Sequence, residues 1–253
     1  MGIFKKNYLI LYKDINKVGT INLFDDVKAW YKNSKNSLHH NIKLYRRLMS
    51  AWSETLITLG DKSEWNRSRD NSHFPKTVKK ANLWIDSTDF KMTGKRRTSK
   101  KSGDWSYKEN SPGRRFMLIS DGFGRVRKLW GPYSPKIQDG DFIKRKRKWF
   151  ERKLVGGVVV GDNHFSPGRN FKKVTFHVPY SKTQKEWKDK KDYSSDVRNV
   201  RHRVESAFGT IKLLFQSLSE PFSESEIELD YLVNYACGIQ TMTQTENFFS
   251  DGE

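Results

Sequence analysis

The six residues Gly156 to Gly161 (GGVVVG) constrain the fold of this chain most. Three consecutive branched apolar residues leave no polar face, so the strand they form is of the kind buried on both sides, which belongs under helices in a parallel or mixed sheet. The run stops at Asp162. A second apolar run, Asn82 to Met92 (NLWIDSTDFKM), reads as another strand and delivers two carboxylates, Asp86 and Asp89, at its far end. Any one of these acids is explained by a strand end meeting water. Together with Glu205 on a helix, they suggest a metal site, because hard cations take carboxylate oxygens from several elements.

The rest of the chain alternates between helical and extended patterning. Leu38, Ile42, Tyr45, Leu48, Met49, Trp52, Leu56 and Leu59 recur at three and four residues and predict a helix that Gly60 ends. It is a packing helix or the remainder of a DNA-reading unit. Residues 1–36 give mixed signals, Lys32 to Ser37 reads as a linker, and Asp61 to Lys80 reads as a connector. Arg115 to Ser120 and Arg125 to Tyr133, joined by Asp121-Gly-Phe-Gly124, predict a hairpin. Thr93 to Arg114, rich in Lys, Arg, Gly and Ser, predicts an exposed basic loop.

Asp139 to Leu154 reads as a helix whose middle is the run Lys144, Arg145, Lys146, Arg147 and Lys148. That run serves a backbone phosphate, a nuclear-import signal or a solvated face. Lys173 to Pro179 is a further strand, Ser194 to Asp196 supply a cap for the long helix Arg198 to Leu218, and Ile227 to Thr243 is the last helix. The order predicts an α/β fold with a mixed sheet flanked by helices. Residues 1–80 read as an N-terminal helical and linker region, and residues 81–253 as the main domain.

Charge narrows the partner. The formal net charge is +19, and all 48 Lys and Arg residues precede Glu220. With 13% aromatic residues, this excess favours a polyanion such as DNA over a merely solvated basic surface. No apolar run approaches the roughly 18 residues of a spanning helix, and Tyr8 to Tyr12 is too short for a signal-peptide core. The expectation is an intracellular protein with no membrane partner. The single cysteine, Cys237, forms no internal disulfide and no thiolate cluster. No histidine pair has the helical spacing of a zinc hydrolase, and no G-x-S-x-G is present.

Phosphodiester chemistry with two divalent ions about 3.5–4 Å apart needs carboxylates that converge from separate elements. Asp86 is the natural bridging ligand, and Asp162 lies beside it if the two strands pair. Asp89, three residues on, faces away in extended chain unless a turn beginning at Ser87 brings it back. Glu205 sits at the edge of the apolar stripe Val197, Val200, Val204, Phe208, Ile211, Phe215 and Leu218, on one face with Arg198, Arg201 and Lys212. It is a surface partner of Arg201 or a metal ligand rimmed by phosphate-holding cations, and spacing leaves both open.

In order along the chain, WIDSTDFKM, RRFMLISDGFGRVRKLWGPYSPKIQDGDF, VVVGDNHF and RNVRHRVESAFGTIKLLFQSL resemble the nuclease domain of Harbinger-type DDE transposases, the DDE superfamily endonucleases. The resemblance spans Ala81 to Leu218. Arg201, Glu205, Phe208, Gly209 and Lys212 fill the family's RxxxExxFGxxK-like helix. It implies an RNase H-like fold, and Asp86, Asp162 and Glu205 as a catalytic triad binding Mg2+ or Mn2+, as two ions. It also implies hydrolysis and strand transfer on DNA, in the nucleus.

Asp89, Asp121 and His164 are candidates for supporting roles, with Asp139 beside them. Arg198, Arg201, Lys212 and the run Lys144 to Lys148 are candidates for holding DNA. Where the family reads Asp-Gly-Thr-His, this chain has Asp86-Ser87-Thr88-Asp89, and Asp162 is followed by Asn163-His164-Phe165. An intact triad in altered surroundings leaves an alternative, a domesticated or inactive DNA-binding descendant. The family usually carries a helix-turn-helix region upstream and its members often rely on a separate DNA-binding partner; an oligomer is compatible with both.

Overall fold

Strand β1 (Leu83–Lys91) is the axis of a mixed sheet. The computed structural model describes residues 38–67, 74–93, 100 and 102–250, and the side chains among these except at 38–42, 202–206, 214 and 245–250. The readings of residues 1–36 and of the linker at Lys32 to Ser37 lie outside the described residues.

On one side β1 pairs antiparallel with β3 (Ser111–Asp121) along its whole length, and β3 pairs with β4 (Val126–Tyr133) as the expected hairpin. On the other side β1 pairs in parallel with β5 (Val158–Val160), which pairs in parallel with β6 (Thr175–His177). A two-residue strand, β2 (Trp105–Ser106), adds to the start of β3. The main path is therefore β4, β3, β1, β5, β6, an antiparallel meander continued by two parallel strands. This is the RNase H-like order.

Alternation along β1 divides the core into two layers. Trp84 and Phe90 face one layer with Phe116, Leu118 and Val160, under α4 (Lys191–Leu214) and α5 (Glu226–Ser250). Leu83 and Ile85 face the other with Met117, Ile119 and Val159, under α3 (Asp139–Lys153). Helices thus cover both faces, as the GGVVVG run requires. The predicted N-terminal helix is α1 (Leu38–Leu56), ended ahead of Gly60 at φ +66°. It lies along α5, where a Cβ at Gly238 would stand 2.2 Å from the Ser53 hydroxyl, so only glycine admits this approach. Arg46 ties the pair by ion pairs to Glu224 (2.5 Å) and Glu228 (3.7 Å).

Four local readings are corrected. The connector after Gly60 contains a short helix, α2 (Lys62–Arg67), whose start is capped by Asp61 accepting from the Glu64 N–H and which buries Trp65. The expected exposed loop before β3 is partly structural, because Trp105 and Ser106 are buried and Arg114 is held between Asp104 and Glu226. The long helix begins at Lys191 rather than after Asp196: Ser194 is already helical, its hydroxyl donating to the Lys190 carbonyl and accepting from the Tyr180 N–H. That helix also ends at Leu214, and a 3-10 turn, Gln216–Leu218, follows it. Among the described residues no helix is long and apolar enough to cross a membrane.

Candidate functional site

The parallel pairing of β1 and β5 sets Leu83 opposite Val159 and Trp84 opposite Val160. Asp86 and Asp162 each follow that last pair by two residues, on neighbouring strands running the same way. Two residues is also the strand period, so Asp86 shares the Trp84 side of the sheet, under α4. β5 ends at Val160, and among the described residues the next backbone partner of β1 on that side is Phe222, beside Lys91 to Thr93. The carboxyl ends of parallel strands, where strand order reverses, are where open α/β sheets bind ligands. Gly161 makes the approach possible: a Cβ there would stand 2.9 Å from Ile85 and 3.0 Å from Phe165. Asp162 opens the 3-10 helix Asn163–Asn170, its carboxylate accepting from the His164 N–H at 2.8 Å.

Burial pushes the Asp86 carboxyl up to about 6; the Ser87 N–H and the charges of Lys108 and Arg201 oppose this, and the Asp162 charge adds to it. Arg201 reaches this neighbourhood because α4 is pinned to β1: the Trp84 indole Nε1 donates to the Val200 carbonyl at 3.0 Å in the buried layer. Position 205 is one turn further along α4. The Glu205 side chain lies outside the described residues.

Asp89 faces away from Asp86, as extended chain requires. No turn begins at Ser87, because β3 pairs with β1 out to Lys91 opposite Gly113. Asp89 therefore stays on the α3 side, fully buried, where its cross-strand neighbour Arg115 donates to it at 2.7 and 3.2 Å and Ser106 donates at 2.6 Å. Asp139, the first residue of α3, has its carboxyl raised by burial against a hydrogen bond with Ser87 and the charge of Arg115, while Asp162 adds to the rise. Asp121 is elsewhere. It pairs with Leu83, three register positions or about 10 Å from the Asp86 level, and is held by Arg125 and Arg127 at 2.8 Å each. It secures the hairpin turn. His164 is exposed, within electrostatic reach of Asp139.

The sheet separates the predicted cations. Lys144 to Lys148 belong to α3, with Lys144, Arg145, Arg147 and Lys148 exposed and Lys146 half-buried. Arg147 pairs with Glu151 at 3.3 Å and stacks 5.6 Å from the Phe171 ring. Arg198, Arg201 and Lys212 belong to α4, on the opposite face. Arg198 is exposed and stacks 5.2 Å from the Trp187 ring. Lys212 is turned back onto β1, donating to the Asp89 carbonyl at 3.3 Å and pairing with Glu109 at 3.6 Å. Sequence reasoning missed Arg115 and Lys108. The first is signalled by the cross-strand pairing of opposite charges, but only once the register of β3 is known.

Among the described residues, no three or more of His, Cys, Asp and Glu are grouped to hold a metal ion. The donor set nevertheless fits one. Asp162 acts electrostatically on both Asp86 and Asp139, and the guanidinium of Arg115 beside Asp139 is bound to Asp89. Buried carboxylates under the charge of a shared acidic neighbour suit a hard divalent ion.

An RNase H-like sheet with one acid within its central strand and another just past the end of the neighbouring parallel strand defines a class of nuclease folds. The chain belongs to the DDE superfamily endonuclease family, whose model matches residues 85–240 and so spans Asp86, Asp162 and Glu205. Among solved structures it is similar to the piggyBac transposase in a cryo-EM synaptic complex with hairpin DNA, at 14% identity and a TM-score of 0.44, over 68% of this chain and 48% of that one. The chain spans about half the length of that transposase chain. A comparison with curated proteins finds no match.

Proposed function

We propose that this protein is a metal-dependent DNA endonuclease of the transposase kind, with Asp86, Asp162 and Glu205 as its catalytic carboxylates. The observation that carries the reading is that Asp86 and Asp162 each lie two residues past the parallel pair Trp84 and Val160, Asp162 just beyond the end of β5, with the Asp86 carboxyl raised to about 6 by burial and, in smaller part, by the charge of Asp162. Family membership supports the same reaction class.

Asp86 and Asp162 would hold the divalent cation, Mg2+ or Mn2+, and Glu205 would complete the set from α4. Bound there, the ions supply positive charge to polarise a phosphodiester and activate the attacking oxygen of water or a 3′-hydroxyl. Arg201 and Lys108 place positive charge beside Asp86, where a phosphate would sit. Arg198 extends that face one turn earlier along α4, so the DNA backbone runs over α4. The α3 run, on the far face, serves a second contact or nuclear import. A separate DNA-binding partner is compatible with this arrangement.

Nicking of supercoiled plasmid in Mg2+ or Mn2+ tests the reading. Wild-type protein is expected to nick, and Asp162→Ala and Glu205→Ala to bind DNA without nicking. DNA binding with a steep salt dependence and no nicking by wild type would replace the enzyme by a binding-only descendant.

A further inference from the structure

We propose that Asp139 is a positioning residue for the metal, a fourth carboxylate that accepts a hydrogen bond from the water of hydration of the ion beside Asp162. This rests on the metal reading above.

Asp139 opens the 15-residue helix α3, and its side chain is 10% exposed. Its Oδ1 is buried with no hydrogen-bond partner. Arg115 does not fill that role. Its Nη1 stands 3.5 Å from Oδ1, too far for a hydrogen bond, because the same nitrogen donates to the Ile137 carbonyl at 2.7 Å. Nε and Nη2 both donate to Asp89. One guanidinium therefore faces two buried carboxylates and is committed to Asp89.

The open oxygen lies on the Asp162 side of the sheet. Asp139 lies within electrostatic reach of Asp162 and His164, and a Cβ on Gly140 would stand 3.1 Å from the His164 carbonyl. The start of α3 and the segment leaving Asp162 are thus in contact. Asp139 is also under the influence of Ser87, the residue after Asp86 on β1. A buried acceptor without a donor costs about 1–3 kcal/mol. Mg2+ keeps several of its waters, and those waters donate hydrogen bonds outward. Asp139 stands on the α3 side of the sheet, whereas Asp86 is on the α4 side. A water between Asp139 and the ion satisfies both facts.

The test is calorimetric titration of Mg2+ into the metal-free full chain without DNA. Asp139→Asn and Asp139→Ser are compared with wild type, Asp162→Ala and Asp89→Asn, and judgement rests on whichever Asp139 variant folds. The expected result is a Kd for Mg2+ raised about tenfold or more in the Asp139 variant. Asp89→Asn, which disturbs the same arginine, should lower Tm and leave the Kd within about twofold of wild type. Wild-type binding that Asp162→Ala abolishes and the Asp139 variants leave unchanged overturns this proposal alone. Absence of Mg2+ binding by wild type overturns the metal reading, and this proposal with it.

Discussion

The indole of Trp84 and the carbonyl of Val200 are joined by a buried 3.0 Å hydrogen bond, and that bond sets where α4 crosses the strand that carries Asp86. Trp84 is two residues before Asp86, and Val200 is next to Arg201 and a turn before Glu205. One contact therefore registers the helix against the strand. Trp84→Phe keeps most of the ring and removes the donor. It is expected to destabilise the protein by about 1–3 kcal/mol in urea unfolding and to lower nicking activity beyond what its folded fraction explains. Unchanged activity per folded molecule would mean that α4 is registered by other contacts.

Asp86 and pH are linked with a definite sign. Its folded carboxyl is raised to about 6, above the ordinary aspartate value of about 3.9, so the folded state holds the proton more tightly than the unfolded chain. Stability of the metal-free protein should therefore rise as pH falls from 7 through about 6 toward 4. In Asp86→Asn this gain should shrink, and stability at pH 7 should increase by on the order of 1–3 kcal/mol. Saturating Mg2+ should reverse the trend in wild type, because the ion binds the ionised form. Denaturant melts at several pH values check both.

The Asp89–Arg115 pair is structural in this account. Arg115→Leu leaves Asp89 buried without its cation and is expected to cost about 3–5 kcal/mol, while Arg115→Leu with Asp89→Asn should recover part of that loss. Urea unfolding of the two single variants and the double one gives the coupling.

Much of this architecture was legible before any coordinates. GGVVVG demanded a strand covered on both faces, and the hairpin around Asp121-Gly-Phe-Gly124 followed from its turn residues. Asp86 and Asp162 could be set at strand ends, but their adjacency depended on a parallel pairing that no local pattern records. Asp89 could be read as facing away in extended chain, but whether a turn at Ser87 intervened depended on β3, which continues to Gly113 opposite β1 and keeps it extended. Helix α2 is too short to show a period, and β2 exists only as a partner of β3. Arg115 and Asp139 became visible as parts of the site only when two elements distant in sequence met across the sheet.

The division of cations between the two faces predicts which of them touch DNA. Arg198→Ala and Arg201→Ala on α4 should each reduce the slope of log binding constant against log salt by about 1. Arg145→Ala and Lys148→Ala on α3 should change it less. Fluorescence anisotropy over a salt series measures all four, and equal effects from both helices would place DNA on both faces.

The central claim, that Asp86 and Asp162 share a divalent cation, is tested most directly by anomalous scattering from crystals of the protein grown with Mn2+. The account predicts a manganese peak at about 2.0–2.2 Å from an oxygen of each carboxylate, close to magnesium's coordination distance, absent in crystals of Asp162→Ala. Manganese found elsewhere on the protein, with none at Asp86 and Asp162 at saturating Mn2+, would contradict it.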